Sequence, residues 1–329
     1  MAIGVYVEDF EAVQVASPSA RSPWALAGAR LRRDWVALAS AGFIVLLVAF
    51  ALAAPVFQAW TGHPVNKSNS TGTDDYTLLP VGPMHGCTNG LASVGERACF
   101  VLGASNVLGY DMLVQLAYGA RTSLIIGLLV TALTVAMGLL TGLIAGYAGG
   151  WPDAVIARLM DVVAAFPFLL FAIAASVVFG PSMALVVLVI SIFSWYYPGR
   201  LFRGEVMAVR NREFVQAAQM LGASRTRIVF RHLLPQLVGP IIVYTSLSIA
   251  GAIGAEAALT YLGFGLPFEV PSWGRMISDA VPGGLYRNAP HLMLVPGTLL
   301  VVTVLAFNLL GDGFRDALDP RGGTKGPGS

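Results

Sequence analysis

The stretch Glu213-Phe214-Val215-Gln216-Ala217-Ala218-Gln219-Met220-Leu221-Gly222, continuing Ala223-Ser224-Arg225-Thr226-Arg227-Ile228-Val229-Phe230-Arg231-His232-Leu233-Leu234-Pro235, is a polar island between long apolar runs. Phe214, Ala217, Ala218 and Leu221 recur at i, i+3, i+4 and i+7. That spacing predicts a helix with these four as one apolar stripe and Glu213, Gln216 and Gln219 off it. Gly222 stops this helix. Ser224 caps a second short helix whose apolar side is Val229, Phe230, Leu233 and Leu234, and Pro235 ends it because the ring clashes with the preceding turn. Two short helices meeting at a glycine, tied at both ends to apolar segments, make a rigid knob suited to docking on another protein.

The sequence on either side sets the class. Hydrophobic residues are 56% of the 329, charged residues only 12%, and mean hydropathy is +0.72. Soluble chains carry roughly a quarter charged residues, so this is a polytopic membrane protein. The net charge of +2 gives no argument for nucleic acid, because the basic residues sit in patches at segment ends.

Residues 1–34 read as a tail, mobile over its first part, where Ser17-Pro18-Ser19 and Ser22-Pro23 interrupt it. Residues 35–60 form a first span, longer than the roughly 20 residues a crossing needs. It starts too far from the N-terminus and runs too long for a signal peptide, so it reads as an uncleaved anchor. Residues 61–121 are an enlarged polar region, and residues 122–312 are the membrane core with five further spans. These fall at about 124–147, 154–179, 183–197, 237–262 and 292–310. The second carries Gly138, Gly142, Gly146 and Gly150 at steps of four, a stripe that lets another helix approach closely. In the third, Arg158 and Asp161 are spaced to pair on one helix face at the headgroup edge, and Phe166-Pro167 marks a kink. The fifth has Pro240 near its start and Glu256 near its far end. Residues 313–329 are a C-terminal tail whose glycine-rich last residues read as disordered.

Six spans put both termini on one side. Of the 20 Lys and Arg residues, 15 lie on the side of the termini and the island; Lys67, Arg97, Arg121, Arg275 and Arg287 lie opposite. Positive charge stays in the cytoplasm, so the expectation is cytoplasmic termini and knob, with residues 61–121 outside. An external Cys87 and Cys99 would close a loop of about 13 residues, worth about 3 kcal/mol on the chain-entropy model, the alternative being two separate thiols. Asn66 and Asn69 sit in N-x-Ser/Thr triplets, too common by chance to carry a function.

Several stretches carry a family resemblance. The island resembles the cytoplasmic loop of binding-protein-dependent ABC importer permeases, whose pattern is Glu-Ala-Ala, three residues, Gly, nine residues, then Ile-x-Leu-Pro. Ala217, Ala218, Gly222, Leu234 and Pro235 match; Gln216 replaces the glutamate and His232 the isoleucine. Leu108-Gly109-Tyr110-Asp111 with Gly119-Ala120-Arg121-Thr122-Ser123-Leu124, Glu256 to Gly265, Pro271 to Asp279, and Ala306 to Arg321 are similar to the dipeptide, oligopeptide and nickel branch. The resemblance covers roughly residues 30–321 and departs most in 61–105. It implies an all-α type I permease fold of six transmembrane helices in a bacterial or archaeal inner membrane. It also implies a second homologous permease, two ATP-binding cassette subunits holding ATP and Mg, and an external binding protein. Glu213, Gln216, Ala217, Ala218, Gly222, Ala223, Ser224 and Arg225 are then the ATPase-coupling residues, with His232, Leu234 and Pro235 closing the loop. Peptides are the expected cargo, with nickel or another metal chelate, or an oligosaccharide, as alternatives. The region 61–105 is expected to help dock the binding protein.

Signatures of self-contained chemistry are missing. The sequence has no Gly-x-x-x-x-Gly-Lys-Ser/Thr phosphate loop and no His-Glu-x-x-His. His63, His85, His232 and His291 are too scattered in sequence to suggest a metal cluster, and His232 reads as a packing or capping residue. No serine–histidine pair falls within the spans, so no cofactor, metal or catalytic residue is assigned to this chain. A self-sufficient channel or ion-driven transporter would carry charges near mid-membrane. Here they cluster at segment ends.

Overall fold

A bilayer offers the backbone no hydrogen bonds, so apolar runs of this length satisfy theirs internally as helices. The computed structural model describes residues 23–87 and 99–318; the expected mobile tail before residue 23 and the disordered end after 318 lie outside them. Its helices are α1 (Pro23–Leu31), α2 (Trp35–Leu52), α3 (Ala54–Thr61), α4 (Met112–Ala148), α5 (Gly150–Ala165), α6 (Phe168–Phe179) and α7 (Met183–Ser194). They continue with α8 (Tyr196–Arg210), α9 (Glu213–Met220), α10 (Arg225–Ile228), α11 (Leu234–Tyr261), α12 (Trp273–Asp279), α13 (Leu285–Asn288) and α14 (His291–Leu318). Four helical stretches are long and apolar enough to cross a membrane: α2, α4, Arg225–Tyr261 and α14. The bent pairs α5 with α6, at 77°, and α7 with α8, at 41°, bring the candidate crossings to six when each pair is counted as one span. Among the described residues no strand forms, only isolated bridges in the region before α4.

Several boundaries move for local reasons. The first span stops at Leu52; Ala53 and Pro55 open a separate α3, because proline is accommodated in a first helical turn but not inside a helix. The second begins twelve residues earlier than expected, since Asp111 caps α4 by accepting from Leu113 N at 2.8 Å and Val114 N at 3.3 Å. At 37 residues α4 is about 55 Å long and projects beyond a bilayer core of about 30 Å. The fourth span continues past a bend at Trp195 into α8, so most of the arginine-bearing approach to the knob is helix. Pro23 starts a helix where the sequence suggested only tail, and the last span runs on to Leu318. The expected kink at Phe166-Pro167 is the 77° break.

Packing follows small residues. A Cβ on Gly138 would lie 2.7 Å from Pro198 Cγ, one on Gly142 2.8 Å from Phe202 Cβ, and one on Gly146 2.8 Å from Val206 Cβ. Three of the four glycines expected in the stripe therefore seat α8 directly on α4. The fourth does not: Gly150 has nothing within 4 Å and a φ of +59°, so it serves the turn into α5 with Gly149. At the other end of the bundle α4, α11, α12 and α14 share a core of Leu116, Ile253, Trp273 and Leu292, all essentially buried. Apolar side chains such as Leu46, Leu170 and Val178 point outward, as they do when the solvent is lipid.

Candidate functional site

The knob is α9, α10 and the turn between them. Helix α9 packs through Val215, a residue off the stripe read from the sequence. Val215 is the fully buried residue, in a cluster with Val206, Val209, Ile228, Leu233 and Leu237, whereas Phe214, Ala217, Met220 and Leu221 are exposed. The apolar stripe is thus an outward surface, with Leu221 88% exposed and the neighbouring Met220 84%. Val215 is the buried one because α9 is eight residues long and hangs from α8, so contacts with Val206 and Val209 decide its face.

The turn explains the small residues. Ala223 N donates to Ala218 O at 3.0 Å and Gly222 N to Gln219 O at 2.9 Å, the paired bonds of a helix end that closes through a left-handed residue. That residue is Gly222, at φ +81°, with open space around it; the requirement there is conformational rather than steric. Ser224 Oγ accepts from Arg227 N at 3.3 Å and starts α10. Arg225, Glu213 and Gln216 are exposed. Gln216 Nε2 donates to Asn211 O at 3.3 Å, a bond that a carboxylate, having no proton to give, cannot make. His232 is half-buried, its ring 6.2 Å from that of Phe214. Pro235 does not end the second helix as expected. Residues Val229–Leu233 form a widened turn, and Leu234 and Pro235 sit in the first turn of α11, so the knob is continuous with a membrane helix. Because the proline ring cannot donate to the carbonyl four residues back, the helix is locally rewound.

Arginine contacts fix the approach to the knob. Arg203 Nη2 donates to Asp153 Oδ2 at 2.8 Å, tying α8 to the start of α5, and Arg210 Nη1 donates to Tyr147 O at 2.8 Å, tying α8 to the end of α4. Asp161 lies 3.7 Å from Arg158 as its spacing suggests, but its close partner is Arg200 of α8 at 2.6 Å.

Beside α8 lies a cavity of about 820 Å³, walled by α7, α8, α11 and the end of α14. Tyr196, Tyr197 and Tyr244 line it, together with Glu205 and Arg315. The Tyr197 and Tyr244 rings are stacked at 5.8 Å. Far from the knob, Glu256 is fully buried. Its carboxylate accepts from Ser272 Oγ at 2.8 Å, Thr260 Oγ1 at 2.9 Å and Ser123 Oγ at 3.1 Å, joining α11 to α4 and to the cap of α12.

The polar region before α4 is folded. Cys87 and Cys99 form a disulfide, with residues 88–98 outside the description. His63, buried, stacks on Phe100 at 4.6 Å and lies 2.6 Å from Asp111 Oδ2, so the residue that caps α4 also anchors this region. Asn66 Nδ2 donates to Glu269 O at 2.8 Å, and Asn106 Nδ2 to Asp279 Oδ2 at 3.5 Å. Burial pushes the Asp279 carboxyl up, against the pull of Asn106 and Arg275. A tight turn projects from this region. Asp74 Oδ1 accepts from Thr77 N at 2.8 Å, Thr77 Oγ1 at 2.9 Å and Tyr76 N at 3.0 Å, and these bonds hold its carboxyl below the usual carboxylate range. Among the described residues no three His, Cys, Asp or Glu side chains are grouped to hold a metal ion.

The structure brings Gln216 through Arg225 together on one projection, with His232, Leu234 and Pro235 behind it, and keeps Gly138, Gly142 and Gly146 at a separate helix contact. Sequence reading missed the cavity. Its signal was a tyrosine doublet followed by Tyr244 and Ser248 in otherwise apolar runs. The Glu256 network was legible as a carboxylate four residues from Thr260, inside a span.

These features define a helical membrane permease, and sequence comparison gives its family. Residues 138–322 match the family described as binding-protein-dependent transport system inner membrane component, and the chain belongs to that family. Residues 22–80 match the N-terminal TM domain of oligopeptide transport permease C. The chain is 36% identical over 303 residues to the glutathione transport system permease protein GsiD of Pectobacterium atrosepticum, covering 92% of this chain and 93% of that protein. It is 34% identical to the dipeptide transport system permease protein DppC of Alkalihalophilus pseudofirmus, covering 92% and 91%. It is 32% identical to the oligopeptide transport system permease protein OppC of Bacillus subtilis, covering 93% and 92%. The fold is shared with a solved inward facing structure of the MetNI methionine ABC transporter, at TM-score 0.52 and 16% identity, over 63% of this chain and 98% of that one.

Proposed function

We propose that this chain is one of two permease subunits of an ATP-driven importer of short peptides. The cargo reading rests on relatives whose names give glutathione, dipeptide and oligopeptide transport. ATP and Mg bind to two cassette subunits, an external binding protein delivers the cargo, and this chain carries no catalytic site. The termini and knob face the cytoplasm, and residues 61–121 face outward, where the stretch 61–105 helps seat the binding protein. The observation that carries this reading is the knob: exposed apolar Phe214, Met220, Leu221 and Phe230 on a buried valine and isoleucine base, continuous with α11. An apolar surface projecting from a membrane protein into water is stable when another protein covers it. Nucleotide-driven closure of the cassettes moves the knob as a body, and α8 and α11, which share its base, pass the motion to the cavity.

Gly222→Val tests the assignment. Valine at φ +81° costs about 1–2 kcal/mol in backbone strain and re-forms the turn between α9 and α10. The expected result is ATP hydrolysis without peptide uptake. Normal uptake in that variant overturns the coupling role.

A further inference from the structure

We propose that the cavity between α7, α8, α11 and α14 is a binding site for a short zwitterionic peptide within the permease, through which the cargo pauses. This rests on the peptide-importer reading and assigns it specific side chains. About 820 Å³ is the size of a site for a small organic molecule, typically roughly 300–1,000 Å³. Its polar groups suit amides. Tyr196, Tyr197 and Tyr244 with Ser194 and Ser248 present hydroxyls, each both donor and acceptor, so a peptide group is met in either direction along the chain. Stacking with Tyr197 and an edge contact to Phe202 at 6.2 Å hold Tyr244 in place. Elsewhere the α11 wall is apolar, from Pro240, Val243 and Leu247 to Gly251 and Ala255, and carries no charged group to select one cargo side chain over another. The site thus reads backbone and tolerates sequence.

Charge gives the second argument. The α8 arginines Arg200 and Arg203 are neutralised by Asp161 and Asp153 outside the cavity. Glu205 and Arg315 line it, and among the described residues neither makes an ion pair. One carboxylate on α8 and one guanidinium on α14 are the complement of a free ammonium and a free carboxylate. A peptide with open termini presents both. A neutral oligosaccharide presents neither.

Ser248→Cys provides the test. Cys87 and Cys99 are the chain's two cysteines and are bonded to each other, so this variant carries its one free thiol, on the cavity wall. The assembled complex in nanodiscs is labelled with a maleimide, in the presence of dialanine, trialanine or N-acetyl-dialanine amide, which lacks both terminal charges. Both free peptides should slow labelling several-fold, and the capped one should not. Adding Arg315→Gln should raise the dialanine concentration needed for protection by about tenfold. Equal protection by the capped peptide overturns the role of Glu205 and Arg315. No protection by any peptide, in a complex whose ATPase still responds to the peptide-loaded binding protein, overturns the site and leaves the importer reading standing. A complex with no response to any peptide-loaded binding protein removes both.

Discussion

At the scale of single residues, the knob turns on proton count and backbone angle. Gln216 stands where the family resemblance leads one to expect a glutamate, and its amide donates to the Asn211 carbonyl. The substitution exchanges a charge for a local tie between α9 and the end of α8. That exchange was legible only in part: the sequence showed the loss of charge, and the structure shows the bond gained. Asp74 is a titrating group outside the spans. Its carboxyl is held below the usual range by Thr77 and then Tyr76, so its contribution is present above the ordinary carboxylate pKa and lost as pH falls through the lowered folded value. Hydrogen exchange across residues 74–79 should therefore lose protection on acidification. In Asp74→Asn, whose side-chain oxygen still accepts but does not titrate in this range, protection should be independent of pH. Equal acid sensitivity in both proteins would contradict the role given to the carboxylate.

At the scale of elements, the order of helices could be read from apolar runs, and their faces could not. Periodicity placed Phe214, Ala217, Ala218 and Leu221 on one stripe but did not say which way that stripe faces. A short helix has no core of its own, and the Val206–Val209 surface of α8 selects Val215 instead. The glycine stripe shows the same limit. Steps of four were legible, whereas the end of α4 at Ala148, which takes Gly150 out of register, depends on the turn that follows. The two kinds of glycine predict different outcomes for one substitution. Gly142→Asn drives a side chain into Phe202 and the Arg203 backbone and should destabilise the α4–α8 pair by about 1–3 kcal/mol, read as a lowered Tm of the complex. Gly150→Asn meets nothing and places a residue tolerant of left-handed geometry at φ +59°, so its Tm should barely change. The reverse order would contradict the packing assigned to α4.

For the whole molecule, composition dictated a membrane protein, and arginine placement gave an expected orientation. The fold adds a physical reason to take the arginines together: Arg203 and Arg210 bind the start of α5 and the end of α4, so these charges gather at one end of the bundle. What the sequence could not supply was the cavity, because α7, α8, α11 and α14 meet only after folding. Orientation is tested with a single thiol at each end, in intact cells. Tyr76→Cys should react with a membrane-impermeant maleimide added outside, and Met220→Cys only after the membrane is opened; the opposite pattern would invert the assignment.

The central claim is that this chain is moved by a separate motor acting on its knob. Proteoliposomes loaded with ATP regeneration on the knob side, and containing either this chain alone or the chain with its second permease, cassette subunits and peptide-loaded binding protein, measure it directly. Peptide flux should require the complete assembly and be at background for the lone chain. Nucleotide-dependent flux through the lone chain would contradict the account.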